Sequence, residues 1–383
     1  MEIDIVAGAR PNFVKIASII AAIREAGPES GISYRLVHTG QHSSQEMSAV
    51  FFEQLSIPEP DIKLSVPAGS QAEMTAAIMM RYEKVLEQKR PDMVLVVGDV
   101  TSTLATAITA KKMNDIPVAH IEAGIRSGDW TMPEEINRII TDSVSDYFFT
   151  PSEVANENLI QSGVPASRIF FVGNTMIDTL LRHQHRFHPP AFWQEYGLQR
   201  RHYILLTIHR QANVADPKTL EGIIKAVVRS AVGLPVVFPV HPRTASILSH
   251  LFVQAPNLIL CPPQSYLEFN YLAANALAVV TDSGGISEET TIMNVPCMTL
   301  RSSTERPETC TLGTNVLLGA RPANIEQAMA RVLRGDWATG KAPFLWDGHT
   351  GSRIVTILRG IASGNKQLLL QHSYANSQNA YNY

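Results

Sequence analysis

The chain has 383 residues, of which 45% are hydrophobic and 17% are charged. This length predicts two domains, and the hydrophobic content excludes an intrinsically disordered chain. With 32 Lys and Arg residues against 35 Asp and Glu residues, the net charge of -3 excludes a generally basic protein that coats nucleic acid.

Apolar, β-branched runs alternate with helical patterns in the first half of the chain. The runs predicted as buried strands are Ile3–Ala7, Tyr34–His38, Met93–Val97, Pro117–Ile121, Tyr147–Phe149 and Ile169–Val172. The amphipathic segments predicted as helices between them include Val14–Glu25, Glu73–Gln88, Ser102–Asn114 and Glu134–Ser145. This alternation predicts a domain of residues 1–185 with a parallel sheet covered by helices on both faces.

The pattern restarts in a second domain, residues 200–349, after a connector that contains Pro189 and Pro190. Its predicted strands are Tyr203–Thr207, Pro235–Pro239, Leu258–Leu260, Ala278–Thr281 and Cys297–Leu300. We therefore predict an α/β protein of two doubly wound, Rossmann-like parallel-sheet domains that face each other across a cleft. Residues 365–383 are rich in Asn, Gln, Ser and Tyr, and we expect a mobile tail with a short helix around Lys366–Gln371.

Several acidic residues lie where ligands bind in open parallel sheets, beyond the carboxyl ends of the strands. Asp99 and Glu122 each follow an apolar strand, and Glu134 begins a helix. Proton removal and return require carboxylates with differently tuned acidities. The alternatives are that Asp99 or Thr101 caps the next helix and that Glu134 only complements the helix dipole.

Groups that suit a nucleotide diphosphate follow other strands. Arg10 and Lys15 follow the first strand, where they either bind an anion or form a solvated helix start. In the second domain, Ser283, Gly284 and Gly285 join a strand to a helix, where backbone N–H groups bind phosphate unless the glycines only make a tight turn. Glu289, one turn later, is placed to accept from ribose hydroxyls. The basic residues beyond the neighbouring strands are His209, Arg210, His241, Arg243 and Arg306.

Other common site types are disfavoured. The first strand is not followed by GxGxxG, and GxxxxGK[ST] is absent. His183, His185 and His188 lack the i, i+4 spacing of a helical metal site, so we predict neither a metal nor a cofactor. The apolar N-terminal stretch is interrupted by Asp4, unlike a signal peptide, and no apolar run approaches the ~18 residues of a membrane span. Together with the odd count of three cysteines, this predicts a cytoplasmic protein without membrane insertion.

Taken in order, these motifs resemble those of the non-hydrolysing UDP-N-acetylglucosamine 2-epimerase family. The resemblance runs from Gly8 to about residue 360. Its motifs are Gly8-Ala9-Arg10-Pro11, His38-Thr39-Gly40-Gln41-His42, Gly98-Asp99, His120-Ile121-Glu122-Ala123-Gly124, Pro133-Glu134-Glu135-Ile136-Asn137-Arg138, Gly173-Asn174-Thr175, His209-Arg210, Asp282-Ser283-Gly284-Gly285 and Thr304-Glu305-Arg306-Pro307-Glu308.

The resemblance implies a glycosyltransferase-B-like architecture, in which the C-terminal helix, Thr350–Ser363 here, crosses back to the first domain. It implies conversion of UDP-N-acetylglucosamine to UDP-N-acetylmannosamine, by anti elimination of UDP through a 2-acetamidoglucal and re-addition, for surface polysaccharide precursors. Asp99, Glu122 and Glu134 would share the proton transfers. His209 is the fourth catalytic residue that the resemblance implies, and it would assist the departing diphosphate. The residues implied to bind the nucleotide sugar are Arg10, Lys15, His241, Ser283, Gly284, Gly285, Glu289 and Arg306.

Bacterial members of this family are regulated by a second UDP-N-acetylglucosamine. The residues expected to bind it here are Gln41, His42, Gln45, Arg210 and His241, although Gln41 and His42 would otherwise cap the helix after the second strand. The short loop Ser127–Met132 is typical of relatives that act on modified sugars, which makes UDP-2,3-diacetamido-2,3-dideoxy-glucuronate a rival substrate. A glycosyltransferase, a hydrolysing 2-epimerase and a silent UDP-sugar sensor are the rival functions. We also expect a homodimer.

Overall fold

The computed structural model describes residues 1–41, 45–113, 115–240, 242–248 and 255–376. The chain divides into two compact units, one formed by Met1–Arg182 and the chain from Phe344 onwards, the other by His183–Pro343. None of the helices within the described ranges is long and apolar enough to cross a membrane.

The first unit is built on a parallel sheet with strand order β3-β2-β1-β4-β5-β6-β7. Its strands are β1 (Glu2–Ala7), β2 (Ser33–His38), β3 (Ile62–Lys63), β4 (Met93–Val97), β5 (Val118–Ile121), β6 (Tyr147–Thr150) and β7 (Ile169–Phe171). Its first helices are α1 (Arg10–Ala26), α2 (Gln45–Gln54), α3 (Gln71–Gln88), α4 (Thr101–Lys112), α5 (Pro133–Val144), α6 (Glu153–Gln161) and α7 (Thr175–His183). The strand order reverses between β1 and β4, which brings their carboxyl ends side by side at a topological switch point.

The central strands of this sheet are buried at every residue. Met93–Val97 reads MVLVV and Val118–Ile121 reads VAHI, and both strands are covered on both faces. A strand covered on both faces is continuously apolar rather than alternating, which is why these runs were predicted from the sequence. His120 is the polar exception in β5, and it is fully buried.

The second unit repeats the architecture with strand order β10-β9-β8-β11-β12-β13, again parallel throughout. Its strands are β8 (Ile204–Thr207), β9 (Val236–Pro239), β10 (Leu258–Cys261), β11 (Ala278–Thr281), β12 (Cys297–Thr299) and β13 (Asn315–Leu317). Its helices are α8 (Phe192–Glu195), α9 (Gln211–Val214), α10 (Pro217–Ser230), α11 (Pro242–Leu248), α12 (Tyr266–Asn275), α13 (Gly284–Met293), α14 (Pro307–Thr311) and α15 (Pro322–Leu333). The prediction of two parallel-sheet α/β domains is therefore confirmed.

The C-terminal helices α16 (Thr350–Ala362) and α17 (Lys366–His372) belong to the first unit. Helix α16 packs against α1 at Gly351, where an added Cβ would lie 2.7 Å from the Ser18 carbonyl oxygen. The N-terminus of α16 has no cap of its own, and its Gly351 N–H donates to Asp178 Oδ2 of α7 at 2.7 Å. A residue without a Cβ and a carboxylate from another helix therefore fix α16 in place.

Helix α17 forms where a short helix around Lys366–Gln371 was predicted in the tail. Beyond it, Tyr374 is buried with Phe148, Leu159 and Ile169, a contact that the sequence did not indicate. An aromatic ring that is removed from water in this way holds its segment against the core. The remaining tail residues, 377–383, lie outside the described residues.

Candidate functional site

The loop after β4 of the first unit begins with a glycine whose backbone conformation and close neighbours both disfavour a side chain. Gly98 has φ +69°, and an added Cβ would lie 2.9 Å from Lys15 Nζ and 3.1 Å from Glu122 Oε2. The Lys15 ammonium forms an ion pair with the Glu122 carboxylate, and both side chains are at most 10% exposed. Lys15, predicted to face an anion, is thus held by Glu122 where β1, β4 and β5 end.

Glu122 also has an unusual backbone conformation. Its φ is +70°, in the left-handed region that residues other than glycine rarely adopt. The N–H groups of Glu122 and Ala123 both donate to the Phe149 carbonyl of β6, at 2.9 and 3.1 Å. Residues held in such conformations cluster at functional sites, so this geometry agrees with the predicted role of Glu122.

Asp99 is held from two sides by α5. Its carboxylate forms an ion pair with Arg138, and its carbonyl oxygen accepts from Asn137 Nδ2 at 2.8 Å. Helix α4 begins after Val100 without a side-chain cap, and Thr101 Oγ1 donates to Gln71 Oε1 at 2.8 Å. These contacts join the Asp99 carboxylate and the Thr101 hydroxyl to side chains outside α4, which argues against the alternative that either residue merely caps that helix.

The first turn of α5 contains two glutamates with different environments. Glu134 is exposed, whereas Glu135 is 2% exposed. Glu135 accepts from the N–H groups of Ser127 and Gly128 at 2.9 Å each and from Arg138 at 2.9 Å. Burial opposes the ionised form of Glu135, but these hydrogen bonds outweigh it and lower its pKa. Glu135 therefore ties the start of the loop after Arg126 to α5, and Glu134 is the carboxylate that remains accessible.

A buried network lies behind these carboxylates. His120 Nδ1 is 2.7 Å from Asp142 Oδ1, and His120 Nε2 is 2.9 Å from the Gly98 carbonyl oxygen. Arg126 Nη1 donates to Asp142 Oδ2 at 2.6 Å, and Gly124 N donates to the same oxygen at 3.2 Å. Asp142, on α5, thus connects β5 to the loops after β4 and β5.

Gln41 and Arg10 flank this edge of the sheet. Gln41 Oε1 accepts from Ser102 N at 3.2 Å and from Ser102 Oγ at 2.8 Å, so Gln41 serves the start of α4. The Arg10 guanidinium lies 5.8 Å from the centroid of the Phe51 ring, and burial lowers its pKa. His42 and the side chain of Gln45, which were also predicted as regulatory groups, lie outside the described residues.

In the second unit, the strand ends are organised around Asp282, which is fully buried. It accepts from His209 Nδ1 at 2.9 Å, from the N–H groups of His209 and Arg210 at 3.1 and 2.9 Å, and from Asn213 Nδ2 at 3.0 Å. Burial raises the pKa of Asp282, but the hydrogen bond and charge of His209, with the other donors, outweigh burial and lower it. The His209 side chain is 54% exposed, so its imidazole is both oriented and accessible.

Ser283 is the N-cap residue of α13, and Gly284 and Gly285 form the first positions of that helix. An added Cβ on Gly284 would lie 3.5 Å from Arg301 Nη1. Arg301 is held by Glu305 through two hydrogen bonds of 2.6 and 2.7 Å. A guanidinium therefore lies beside the helix N-terminus that was predicted to bind phosphate.

Arg306 and Glu289 are more enclosed than predicted. Arg306 is 7% exposed and donates from Nε to Glu288 at 2.6 Å. Glu289 is 5% exposed and accepts from the Tyr266 hydroxyl at 3.3 Å, and burial raises its pKa to about 7. Of the cations after β12, Arg301 rather than Arg306 lies beside Gly284. His241 and the side chain of Arg243 lie outside the described residues, within which no cluster of three or more His, Cys, Asp or Glu residues is arranged to hold a metal ion.

Comparison with known proteins identifies the family of this chain. The sequence profile described as UDP-N-acetylglucosamine 2-epimerase matches residues 24–359. The chain belongs to the UDP-N-acetylglucosamine 2-epimerase family. It is 38% identical to the UDP-N-acetylglucosamine 2-epimerase of Methanocaldococcus jannaschii, in an alignment that covers 94% of this chain and 99% of that protein. The crystal structure of that enzyme with UDP-GlcNAc and UDP superposes with a TM-score of 0.84, over 94% of this chain and 99% of that one.

Two further matches inform specificity and fold. The chain is 40% identical to the UDP-2,3-diacetamido-2,3-dideoxy-D-glucuronate 2-epimerase of Pseudomonas aeruginosa, with 94% of this chain and 99% of that protein covered. The glycotransferase of kitacinnamycin is similar in fold alone, with a TM-score of 0.51 and 12% identity over 97% of this chain and 99% of that one. The family and the enzyme class, an isomerase, are those that the sequence motifs predicted.

Reasoning from the sequence did not single out several residues of this candidate site. Asn12, Asp142, Asp282 and Arg301 hold its loops or line them, yet none was among the predicted site residues. Asp282 is the first residue after β11 and Arg301 is the second after β12, so the rule that placed Asp99 applies to them as well. Asn12 accepts from Gly8 N at 3.1 Å and donates to the Val97 carbonyl at 2.9 Å, contacts that only the folded chain reveals.

Proposed function

We propose that this protein inverts C2 of a UDP-linked 2-acetamido sugar and converts UDP-N-acetylglucosamine into UDP-N-acetylmannosamine. A carboxylate takes the proton from C2, the bond between C1 and the diphosphate oxygen breaks, and the electron pair forms the C1=C2 double bond of a 2-acetamidoglucal. UDP then adds back to C1 while a proton is delivered to the opposite face of C2. Atoms and electrons balance without an oxidant or reductant.

The observation that carries this proposal is the pair of strand-end carboxylates in the first unit, each oriented by its own cation. Asp99 is paired with Arg138, and Glu122 with Lys15. Inversion at C2 needs proton transfer at two faces of one carbon, and two separately oriented carboxylates meet that need. Glu134, the exposed glutamate of α5, is the third acid in the proposed set. Sugar transfer leaves the C2–H bond intact, so a glycosyltransferase does not need proton-transfer groups at both faces of C2.

The second unit provides groups for the departing diphosphate. His209, oriented by Asp282, and the α13 N-terminus at Ser283, Gly284 and Gly285 are the proposed ligands. Arg301 lies close enough to Gly284 to add positive charge. Stabilising the charge that develops on a leaving group lowers the barrier of the elimination. The epimerase whose crystal structure superposes on this chain was crystallised with UDP-GlcNAc and UDP, which supports the same nucleotide here.

The test is proton exchange at C2. We expect the purified protein, incubated with UDP-N-acetylglucosamine in deuterated water, to incorporate deuterium at C2 while UDP-N-acetylmannosamine accumulates, as followed by NMR. Asp99→Asn should lose about 100-fold or more of this turnover and retain UDP binding in calorimetry, because it removes proton transfer without removing a phosphate ligand.

A matched control is Asp115→Asn, since Asp115 is an exposed aspartate of the same unit with φ +54°, a conformation that asparagine tolerates. Its turnover should equal that of the wild type. Absence of exchange with every UDP-2-acetamido sugar overturns the proposed function. Normal epimerisation by Asp99→Asn overturns the role of Asp99.

A second substrate, UDP-2,3-diacetamido-2,3-dideoxy-D-glucuronate, is favoured by the 40% identity to the Pseudomonas aeruginosa enzyme that is named for it. The short loop after Arg126 supports the same substrate. The reaction at C2 is identical for both sugars, so the exchange assay applied to each in turn decides between them. The sugar with the higher kcat/KM is the substrate.

Finer features of the proposal rest on the resemblance to the family. We propose a cytoplasmic homodimer that makes precursors of surface polysaccharide. We also propose that a second UDP-N-acetylglucosamine regulates it through the predicted set that includes Gln41 and Arg210. Of these, Gln41 is held by Ser102, and Arg210 Nη2 lies 3.7 Å from Glu305 Oε1.

A further inference from the structure

His120 lies between two groups that can only accept hydrogen bonds. Its Nδ1 is 2.7 Å from a carboxylate oxygen of Asp142, and its Nε2 is 2.9 Å from the carbonyl oxygen of Gly98. Neutral histidine has a proton on one ring nitrogen only, whereas the imidazolium has a proton on both. The two acceptors are therefore both satisfied by the imidazolium form, in a side chain that is fully buried.

The surroundings of Asp142 stabilise such a buried cation. The carboxylate is removed from water, which raises the pKa of Asp142, but the charges and hydrogen bonds of His120 and Arg126 outweigh this effect and lower it. The Gly124 N–H adds another donor at 3.2 Å. Asp142 is thus ionised and faces both His120 and Arg126, and a buried charge paired and hydrogen-bonded in this way is tolerated.

The hydrogen bond to Gly98 acts on the peptide group that joins Gly98 to Asp99. Gly98 has φ +69°, so this peptide is part of a sharp turn. The peptide on the other side of Asp99 is held through its carbonyl oxygen by Asn137 Nδ2 at 2.8 Å. Both peptide planes that flank Asp99 are therefore fixed by side chains, and Asn137 and Asp142 both lie on α5.

We propose that His120 is a positioning residue that, as an imidazolium held by Asp142, fixes the Gly98 peptide and so sets the carboxylate of Asp99 for proton transfer at C2. The inference rests on the proposed function, in which Asp99 is one of the proton-transfer groups. Loss of this hydrogen bond leaves the phosphate ligands intact and lets the Asp99 carboxylate shift, which affects the chemical step more than binding.

Two substitutions separate the two hydrogen bonds of His120. The amide of His120→Asn replaces Nδ1 and retains a donor to Asp142 but does not reach Gly98. The longer His120→Gln reaches the Nε2 position and retains the donor to Gly98. We expect kcat to fall about 10- to 100-fold in His120→Asn, with KM within about twofold of wild type. The kcat of His120→Gln should be at least about fivefold higher than that of His120→Asn.

A double variant distinguishes positioning from a general loss of structure. If His120 acts through Asp99, the loss of His120 has no further effect once Asp99 is replaced. The double variant His120→Asn/Asp99→Asn should then have the same single-turnover rate of C2–H exchange as Asp99→Asn alone. The matched control is His183→Asn, which alters another buried histidine, at the end of α7 and paired with Arg186 at 3.2 Å, and should keep the wild-type kcat. Melting temperatures of all variants identify any that fail to fold.

The protonation state is measured on the wild-type protein without substrate. With 15N-labelled histidine at pH 7.5, both ring nitrogens of His120 should have the chemical shifts of protonated nitrogen, and the resonances that disappear in His120→Gln identify the residue. A neutral ring overturns the inference, as do equal losses in the Asn and Gln variants or additive losses in the double variant. Absence of exchange by the wild type overturns the proposed function instead, and the NMR spectrum still decides whether the imidazolium exists.

Discussion

The carboxyl group of Glu289 lies against the phenol of Tyr266 in the second unit and has almost no access to water. Burial raises its pKa to about 7, from an ordinary value of 4.5. The folded state therefore binds this proton more tightly than the unfolded state does. Stability falls as the pH rises from about 4.5 to 7, and the full penalty is present above pH 7.

Glu289→Gln should remove this penalty because the amide keeps an acceptor for the Tyr266 hydroxyl and has no charge. We expect the variant to be more stable than the wild type by up to about 3 kcal/mol at pH 8, with the difference vanishing near pH 4.5. Urea unfolding without nucleotide at both pH values measures it. Glu195→Gln, an exposed glutamate of the same unit, is the control, and a gain that is larger at pH 4.5 than at pH 8 contradicts the prediction.

The ion pairs of individual residues could not be predicted from the sequence. Asp99 and Glu122 were predicted as site residues because each follows an apolar strand. Their cations are 39 and 107 residues away along the chain, so no local pattern reveals the pairs. The sequence likewise did not indicate that Lys15, predicted to bind the diphosphate, pairs with Glu122. The two residues become neighbours only when β1, β4 and β5 align.

Among the elements, α16 depends on a carboxylate from another helix. Asp178 of α7 accepts from Gly351 N, which takes the place of a side-chain cap at the α16 N-terminus. The first N–H groups of a helix have no hydrogen-bond acceptor within the helix, so an acceptor from elsewhere satisfies them. A negative charge at the same end interacts favourably with the helix dipole. The attachment of α16 to the first unit therefore rests on one side chain as well as on its packing against α1.

Asp178→Ala should lower the free energy of unfolding by about 1–2 kcal/mol, the usual range for losing a helix N-terminal acceptor. Asp178→Asn keeps an acceptor oxygen and should lose less. Denaturant unfolding of the three proteins without ligand provides the comparison, and equal losses in the two variants would show that the hydrogen bond to Gly351 is not what matters.

Most strands were predictable from the sequence because they are continuous apolar runs covered on both faces. The two that were missed are Ile62–Lys63 and Asn315–Leu317, at the edges of their sheets. Ile62–Lys63 has only two residues, and Asn315–Leu317 begins with a polar residue that follows Gly313 and Thr314, so neither stands out as an apolar strand. Tyr374 was missed for a different reason, because a polar composition conceals a single aromatic side chain that packs against β6 and β7.

Over the whole molecule, each unit has hydrophobic clusters of its own. Tyr374 belongs to a cluster of the first unit with Phe148 and Ile169, whereas the proposed nucleotide groups around Ser283 belong to the second. A change in one unit should therefore be detected mainly by amides of that unit. Hydrogen exchange followed by mass spectrometry resolves the two units in a single experiment.

Tyr374→Ala, which opens a cavity in a core, should accelerate exchange in the peptides that contain β6, α6 and β7 and leave the second unit unchanged. Tyr196→Ala, at a side chain that is 47% exposed, is the control for removing a tyrosine.

UDP binding tests the second unit in the same way. UDP alone should slow exchange most strongly in residues 281–290, because a ligand stabilises the amides that it binds. Stronger protection by UDP in the first unit than in residues 281–290 would contradict the assignment of nucleotide binding to the second.

The hydrogen bonds of Glu135 bear on how such enzymes diverge. Because Glu135 clamps Ser127 and Gly128 and also binds Arg138, the start of the loop is fastened to the same helix that orients Asp99. If the proposed function holds, insertions or deletions after Gly128, around the exposed Trp130, would change the surface near the sugar without displacing the proposed proton-transfer groups. Sugar preference and reaction chemistry would then be separable traits in this scaffold, and this loop would be the first place to engineer a new substrate.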